Sequence, residues 1–419
     1  MDNFWKFRTL KSKTGKIFPA LKHENYRYYF QGQLVSLSGS WMQTVAQGWL
    51  VYQLTQSPFM VGLVSALQHM PILFFGVFGG VIVDRFDKQK VILITQGASL
   101  VLALILGVLT ITGYINVWTV MVFAFLLGLV NALDTPARQS LIIEMVGREH
   151  MPSAIALNVG SFNSARVFGP AIAGILIAKL GVGITFILNA LTFLGPILAL
   201  KSMKLNLPAV KTPQHPLLAV KTGLRYSFRH PIIKMVLIFT AVTSIFGWSY
   251  VSMLPVVAER VFKQDSSGLG LLYSSFGVGA VLGTVFISAF NNRFSVKRLL
   301  LGGSFLFTIA LFAFTLTTNF TLALVFMFFS GAGIAAQMAL MQSIIQNNVE
   351  NNLRGRVMSI FVTAHQGMMF IGNFQIGWVA ELIGSRPAIA IGATIIFLFS
   401  VYLYLTFTKL ENIEYSAIT

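Results

Sequence analysis

Few side chains that could do chemistry lie within the long apolar stretches of this sequence. They are Asp134 and Arg138, four residues apart, Arg166 further along, and the imidazoles of His69 and His365. A carboxylate or an imidazole in apolar surroundings can take up and release a proton, whereas a guanidinium can pair with an anion. These five residues are therefore our candidates for embedded charge and for proton coupling.

The sequence contains no cluster of reactive side chains. The acids and histidines are too few and too scattered for a metal site or a catalytic triad, and there is no phosphate-binding Gly-Lys-Thr/Ser loop. The 419 residues include no cysteine, which excludes thiolate chemistry and zinc-thiolate sites. We therefore expect no catalytic residue, no metal and no cofactor. For each histidine, a packing role stays open beside proton transfer.

Two of the embedded residues, Asp134 and Arg166, have opposite charges and could form an ion pair. If the segments that carry Asp134 and Arg166 are antiparallel neighbours, the two side chains lie at a similar depth. We predict that they pair, directly or through Asn163 or a water molecule. A structural ion pair and a role in coupling are both compatible with such a contact.

The elements that position these residues are long apolar runs. Of the residues, 55% are hydrophobic and 10% are charged, a composition that suits a membrane better than water. A helix needs about 20 apolar residues to cross a bilayer. Runs of this kind fall near 28–54, 59–83, 91–112, 117–143, 153–178, 184–200, 232–258, 268–291, 299–318, 320–346, 356–382 and 387–407. The fold class that follows is an all-α polytopic membrane protein with twelve transmembrane helices.

The runs divide into two halves. We expect a tail at 1–27, a six-helix bundle at 28–200, a basic linker at 201–231, a second six-helix bundle at 232–408 and a tail at 409–419. The linker is rich in proline and contains a short amphipathic segment near 217–228. Asp84-Arg85-Phe86 after the second run is echoed by Asn292-Arg293-Phe294 after the eighth, so the bundles should be pseudo-symmetric.

The basic residues are distributed unevenly between the two ends of the predicted helices. The formal charge is +17, yet one face carries only Lys179, Arg260, Lys263 and Arg386. Cytoplasmic loops retain Lys and Arg, so both termini should be cytoplasmic in a bacterial inner membrane. The charge then indicates contact with anionic lipid rather than nucleic acid.

The loop after the second run carries the first recognisable motif. Gly80, Asp84, Arg85, Lys88 and Lys90 resemble the cytoplasmic signature of the major facilitator superfamily. That resemblance implies two six-helix bundles and a conformational latch at this loop. The superfamily pattern usually has glycine at the position of Asp87, so the local turn should differ. A simple solvated charge pair is the alternative.

The fifth run carries the second motif. Gly160, Gly169, Pro170 and Gly174 resemble the signature of antiporter branches of the superfamily, and small residues there also permit close helix packing. The stretches 33–87 and 132–170 are similar to the enterobactin-exporter-like and macrolide-efflux-like branch, a transmembrane secretion effector family of the drug:proton antiporter type. The resemblance implies export rather than import.

In the fold that this resemblance implies, the first, fourth, fifth, seventh, tenth and eleventh helices border a central cavity. Amide and aromatic side chains on these helices are our substrate-cavity candidates, because such a mixture suits a large, partly aromatic solute. Interhelical hydrogen bonding is the alternative for each. The candidates are Trp41, Gln43, Gln47, Asn158, Asn163, Trp248, Tyr250, Gln337, Gln342 and Gln366.

The resulting functional hypothesis is a monomeric secondary active exporter of an amphiphilic small molecule, with a siderophore as the first substrate class and protons as the coupling ion. A multidrug or macrolide-type efflux pump is one alternative. An uncoupled facilitator or importer is a second. A third is a membrane enzyme or sensor that does not transport, which would need clustered reactive groups that the sequence does not show.

Overall fold

The computed structural model describes residues 18–83, 86–203, 216–290, 293–350 and 353–406. Within these ranges the chain forms twelve long helices, and no strand occurs there. The helices are α1 Glu24–Thr55, α2 Pro58–Val83, α3 Lys88–Ile111, α4 Val117–Gly147, α5 Glu149–Leu180, α6 Val182–Ser202, α7 Pro231–Arg260, α8 Ser266–Phe290, α9 Val296–Leu316, α10 Phe320–Asn348, α11 354–383 and α12 Ser385–Thr406.

Ten of these helices, within the described ranges, are long and apolar enough to cross a bilayer. The other two, α1 and α11, are long enough but more polar. In α1 the buried side chains include Gln33, Gln43 and Gln47, which are shielded from lipid by neighbouring helices. Polar residues are tolerated at membrane depth where protein surrounds them. The chain is thus a multi-pass membrane protein, as its hydropathy predicts.

Helix boundaries follow local sequence signals. Helical hydrogen bonding continues from α4 into α5, but Gly147 has a φ of +71°, a left-handed conformation that glycine adopts without strain, and this separates the two. Asp87 caps α3 by accepting hydrogen bonds from the amides of Gln89 at 3.0 Å and Lys90 at 3.3 Å. The departure from the superfamily pattern at Asp87 therefore forms a helix N-cap.

The capping pattern repeats between the halves. Ser295 caps α9, the counterpart of α3, and Asn319 caps α10 as Asn116 caps α4. The asparagine oxygens accept from the amides three residues later at 3.1 Å and 2.9 Å respectively. Equivalent caps at equivalent helices are physical evidence of the pseudo-symmetry that the sequence repeat predicts.

The first bundle consists of α1–α6 and the second of α7–α12. They meet along two helix pairs, α2 with α11 and α5 with α8. A Cβ added at Gly62 would lie 2.6 Å from the Cα of Gly377, and one added at Gly174 would lie 3.2 Å from the Cα of Gly270. Both approaches are near the end of the molecule at which α1 ends, here named the distal end. The opposite end, where α1 begins, is the tail end.

Part of the predicted linker is described. Residues 204–215 lie outside the described ranges, but Pro216–Arg229 forms a helix, here the linker helix, as the amphipathic pattern predicts. It packs on α2 and on the start of α11, where a Cβ added at Gly223 would lie 3.1 Å from the Cβ of Arg356. The linker helix therefore lies across the tail end of both bundles.

Candidate functional site

The most unusual group between the bundles is the Arg166 side chain on α5. Its Cζ lies 5.3 Å and 5.0 Å from the ring centres of Trp41 and Phe162, which belong to the first bundle. It lies 5.3 Å and 5.7 Å from those of Trp248 and Phe276, which belong to the second. These are cation–π distances. We name these five residues the Arg166 cage, and both bundles contribute to it.

Two buried nitrogen atoms of the cage have no hydrogen-bond partner among the described residues. Arg166 is 8% exposed, and no described carboxylate forms a salt bridge with it. Its Nε is buried without a hydrogen-bond partner among the described residues, and so is Nε1 of Trp248. Buried donors of this kind usually find a partner. The cage thus holds a cation and two unused N–H groups.

The backbone around Arg166 is fixed by close helix contacts. Ser274 of α8 donates a hydrogen bond of 2.8 Å to the carbonyl oxygen of Val167. A Cβ added at Gly277 would lie 2.9 Å from the carbonyl oxygen of Arg166, and one added at Gly169 would lie 2.7 Å from the Cβ of Trp41. Small residues therefore bring α1, α5 and α8 together at the level of the cage.

His365 lies directly beside the cage. Its ring centre is 5.5 Å from that of Trp248, so the indole that contacts Arg166 also contacts the imidazole. His365 lies in a π-helical turn, Thr363–Gly367, within α11, and its Nδ1 is 3.1 Å from Oγ of Ser244 on α7. Single π-turns inside α-helices are frequent at functional sites.

His69 occupies the facing helix α2. Its Nδ1 lies 2.8 Å from the carbonyl oxygen of Ser65, one helical turn earlier. Both histidines are half-buried, and α2 and α11 are in contact across the boundary between the bundles. The two imidazoles are thus carried by helices that must move relative to each other if the bundles do.

Asp134 is the centre of a separate polar network inside the first bundle. It is 5% exposed and forms an ion pair with Arg138, one turn along α4. Thr95 and Gln96 of α3 donate to the same carboxylate at 2.6 Å and 3.0 Å. Arg138 in turn donates to the amide oxygen of Gln33 on α1. The carboxylate of Asp134 thus accepts hydrogen bonds from three protein side chains.

The predicted pair of Asp134 with Arg166 is therefore wrong. A similar depth along antiparallel helices does not ensure that two side chains meet, because the direction of each side chain also depends on how its helix is rotated about its axis. In α4 this rotation turns Asp134 toward α3. Arg166 is turned away from α4, toward the boundary between the bundles. The structure thus separates one embedded ion pair from one unpaired cation.

Several predicted cavity residues form hydrogen bonds within one bundle. The pairs are Gln43 with Asn189, Gln47 with Gln68 at 3.2 Å, Tyr250 with Ser330 at 3.3 Å, and Gln337 with Thr243 at 2.9 Å. Asn158 and Asn163 are half-buried on α5, and Gln342 is exposed on α10. Of the predicted set, Trp41 and Trp248 belong to the cage.

Gln366 lines a narrow cavity of about 50 Å³ between α2, α4 and α11. This cavity lies toward the tail end, where Gly76 and Pro136 face Thr363. It has room for a few water molecules and none for a large solute. Between α4 and α11 the bundles are thus nearly closed in this conformation.

The predicted latch is only partly visible. Asp84 and Arg85 lie outside the described residues, and Gly80 is in the helical backbone of α2. Lys88 forms an ion pair with Glu144 of α4, and exposed Lys90 lies 3.9 Å from Asp87. The described lysines of the motif therefore make contacts within the first bundle.

The second predicted motif performs two packing tasks. Gly169 packs against α1, and Gly174 packs against α8 at the distal end, where a Cβ would lie 2.6 Å from the carbonyl oxygen of Ser266. Nothing lies within 4 Å of a Cβ added at Gly160. Only part of the motif is thus needed for close packing in this conformation.

Sequence reasoning missed two of the aromatic residues in the cage. Phe162 precedes Arg166 by one helical turn, and this spacing places both on one face of α5. That signal was available. No sequence signal distinguishes Phe276, because it is one of 37 phenylalanines in the chain. Its position becomes apparent only once α8 is packed against α5.

The distal end is held by polar contacts between the bundles. Arg260 of α7 donates to the hydroxyl of Tyr52 and to the carbonyl oxygen of Gln56, at the end of α1. Glu381 of α11 accepts from Oγ of Ser57 at 2.8 Å and from the amide of Phe59 at 3.0 Å. The carboxylate thus caps the start of α2 from the other bundle.

Two six-helix bundles around a shared polar and aromatic site define a transporter of the major facilitator fold. Residues 16–418 match the family model described as transmembrane secretion effector, so the chain belongs to that family. It is a transporter family, not a family of enzymes.

Two of the relatives are named for siderophores. The chain is 26% identical over 363 residues to the staphyloferrin A transporter of Staphylococcus aureus, covering 85% of this chain and 90% of the relative. It is 22% identical over 377 residues to the enterobactin exporter EntS of Escherichia coli, covering 89% and 90%.

Solved structures confirm the fold. A mutant of the nucleoside transporter NupG superposes with a TM-score of 0.72 at 13% identity, covering 93% of this chain and 100% of that one. A bacterial homologue of the lysosomal transporter Spinster, in an inward-facing and unoccupied conformation, has a TM-score of 0.71 at 14% identity, covering 96% and 98%.

Proposed function

We propose that this protein is a proton-coupled exporter of a siderophore-type small molecule in a bacterial inner membrane, with both termini in the cytoplasm. The observation that carries the proposal is the Arg166 cage. A site built from both bundles is remade whenever the bundles move, which alternating access requires. Aromatic rings around a fixed cation suit an amphiphilic molecule that carries negative charge.

The contacts between the bundles support a specific order of opening. The distal end is joined by backbone-close helix crossings and by Arg260 and Glu381, each bound to the other bundle. At the tail end a narrow cavity beside Gln366 lies between α4 and α11, and the linker helix lies across both bundles. We infer that the bundles separate at the tail end to admit substrate and at the distal end to release it.

His365 is the proposed proton carrier. Its ring contacts Trp248 of the cage. Nδ1 of His365 can keep its hydrogen bond to Ser244 whether or not this nitrogen carries a proton, because the serine hydroxyl can either accept or donate. Asp134 is less suited because its carboxylate is already bound by Arg138, Thr95 and Gln96. Proton binding at His365 would change the charge beside Arg166 and therefore the affinity of the cage for an ionic substrate.

Outward transport is supported by two observations: the fifth helix carries an antiporter-like motif, and one relative is named an exporter. Basic loops face the tail end, which makes that end the cytoplasmic one in this proposal. The membrane of residence and the sidedness of the termini belong to the same proposal.

The proposal is tested by loading cells with labelled siderophores or with a lipophilic dye and following release, with and without the protein, before and after the proton gradient is collapsed. We expect protein-dependent release of a siderophore that stops on collapse. Release of the dye alone would indicate a multidrug pump. Release that persists without a gradient would indicate a facilitator, and no release of any compound would contradict transport.

A matched pair of variants tests the coupling group in the same cells. His365→Gln keeps a hydrogen-bonding side chain beside Ser244 but cannot carry a proton, so gradient-driven release should fall by about tenfold or more. His69→Gln makes the same change on the facing helix and should leave most of the release intact. Equal effects of the two variants would remove the special role of His365.

A further inference from the structure

We propose that the Arg166 cage is the subsite for a carboxylate group of the transported substrate. The inference rests on the proposed function in one respect, namely that the bound molecule is the one transported. The binding itself requires no transport and can be measured separately.

The charge of Arg166 has no partner of opposite sign among the described ion pairs. Arg166 is a guanidinium at membrane depth, 8% exposed, and the described salt bridges leave it without a carboxylate partner. The embedded acid Asp134 is bound by Arg138 instead. An unpaired buried charge is costly, and the four aromatic rings offset that cost only in part. An anion from a ligand would complete the site.

The free donors of the cage have the arrangement that a carboxylate requires. Aromatic rings surround the guanidinium, and Nε remains without a hydrogen-bond partner in the described structure. Nε and the adjacent terminal nitrogen form a planar pair of donors that matches the two oxygens of a carboxylate. The unused Nε1 of Trp248 lies in the same cage and can supply a further donor. The free groups thus match a carboxylate better than a neutral acceptor.

A ligand can reach the guanidinium of Arg166 only when the bundles separate. Nε is buried in this conformation, so no ligand reaches it while the bundles are closed. Trp248 and Phe276 belong to the second bundle, whereas Trp41 and Phe162 belong to the first, as does Arg166. Separation of the bundles therefore withdraws two of the rings and exposes the guanidinium. Substrate binding is thereby linked to opening.

The same cage disfavours cations. A cationic molecule would bring a second positive charge against Arg166 with no described carboxylate nearby to compensate. The expected substrate class is consequently an amphiphile with at least one carboxylate and with apolar or aromatic surface to lie against Trp41 and Trp248.

The test uses the purified full-length protein in detergent and a pair of probes that differ only in charge. The probes are 4-phenylbutyrate and its neutral amide, and binding is followed by tryptophan fluorescence, since Trp41 and Trp248 flank the site. We expect saturable binding of the carboxylate, at least about tenfold tighter than that of the amide. Equal binding of the two probes, or no binding of either, would overturn the proposal.

Variants then locate the binding. Arg166→Gln should weaken carboxylate binding by at least about tenfold, and Arg166→Lys should recover only part of it, because lysine keeps the charge without the planar fork. Lys179→Gln removes an exposed cation from the same helix and should bind like the wild type. If Lys179→Gln weakened carboxylate binding as much as Arg166→Gln does, the assignment of the carboxylate subsite to Arg166 would be contradicted.

Two further arms guard against other outcomes. If Arg166→Gln does not fold, the comparison of carboxylate and amide on the wild type still decides, and Trp248→Phe should reduce the fluorescence response. Inorganic phosphate and chloride are titrated in parallel, and binding of either as tight as that of the carboxylate would show a general anion site and overturn the proposal. Siderophore release is measured separately, so failure of binding and failure of transport are distinguishable.

Discussion

At the level of single residues, the two embedded charge sites differ in what surrounds them. Asp134 is held by Arg138, Thr95 and Gln96, so its charge is compensated by the protein itself. Arg166 has rings around it and no described counter-ion. The first arrangement stabilises the packing of α3 on α4, and the second leaves binding capacity for a ligand.

The Asp134 network yields a stability prediction. Neutralising one partner leaves the other charge buried, so Asp134→Asn or Arg138→Gln should each lower the free energy of unfolding by about 3 kcal/mol or more. The double variant should be more stable than the sum of the single changes implies, by about 1 kcal/mol or more. Thermal unfolding of the detergent-purified variants measures this. Simple additivity would show that the pair contributes no coupling energy.

The sequence indicated some of these residues and missed others for physical reasons. Arg166 was identifiable because a charged residue inside an apolar run is rare and usually functional. Its surroundings were not, because the sequence does not reveal how a helix is rotated about its axis. The same uncertainty led to the incorrect pairing with Asp134. Gln43 was predicted at the cavity but bonds to Asn189 within the first bundle.

At the level of helices, the start of α1 is anchored on the start of α5. Nε2 of His23 lies 2.8 Å from Nδ1 of His150, and the Tyr26 hydroxyl donates to the carbonyl oxygen of Ala154 at 3.0 Å. The Ala20 amide donates to Oγ of Ser153 at 3.3 Å. These contacts fix the tail end of α1 before it enters the bundle.

This anchor should respond to pH. Burial, and repulsion by His150, lower the pKa of His23 from its ordinary value of 6.5, while Glu149 opposes the shift. At a pH between 6.5 and the lowered pKa of folded His23, the unfolded chain binds more protons than the folded chain. The contribution of neutral His23 to the stability of the fold is therefore complete above pH 6.5 and is lost as the pH falls through the lowered pKa. Acidification should therefore loosen the start of α1.

The measurement is the melting temperature of the purified protein between about pH 7.5 and about pH 5.5. His23→Gln should reduce the loss of stability on acidification. His230→Gln, a histidine before α7 that is not in this contact, serves as the matched control. An identical pH profile for the wild type and His23→Gln would contradict the role of His23.

Helix positions were largely predictable, because hydropathy and length set them. The predicted run 320–346 matches α10 at Phe320–Asn348, and the amphipathic linker segment forms Pro216–Arg229. The π-turn at Thr363–Gly367 was not predictable, since no composition signal separates it from the surrounding α-helix. It depends on the packing of α11 against α2 and α7.

At the level of the whole molecule, the two bundles hold the Arg166 cage between them. The distal contacts join Gly62 to Gly377 and Gly174 to Gly270, and Glu381 caps α2 across the boundary. The nearly closed cavity at the tail end is too small for a siderophore, so transport requires the bundles to separate. The repeat in the sequence predicted the two bundles, but not the contacts that join them.

A reversible lock at the distal end tests this most directly. The chain contains no cysteine, so Ser57→Cys with Glu381→Cys gives one reactive pair, at side chains that lie 2.8 Å apart in the native protein. The pair is joined by a short reducible bis-thiosulfonate linker, and siderophore release is measured before treatment, after treatment and after reduction, with each single cysteine variant as a control. The account predicts that release stops when the linker is in place and returns on reduction. Undiminished release from fully cross-linked protein would contradict export by alternating opening of the two bundles.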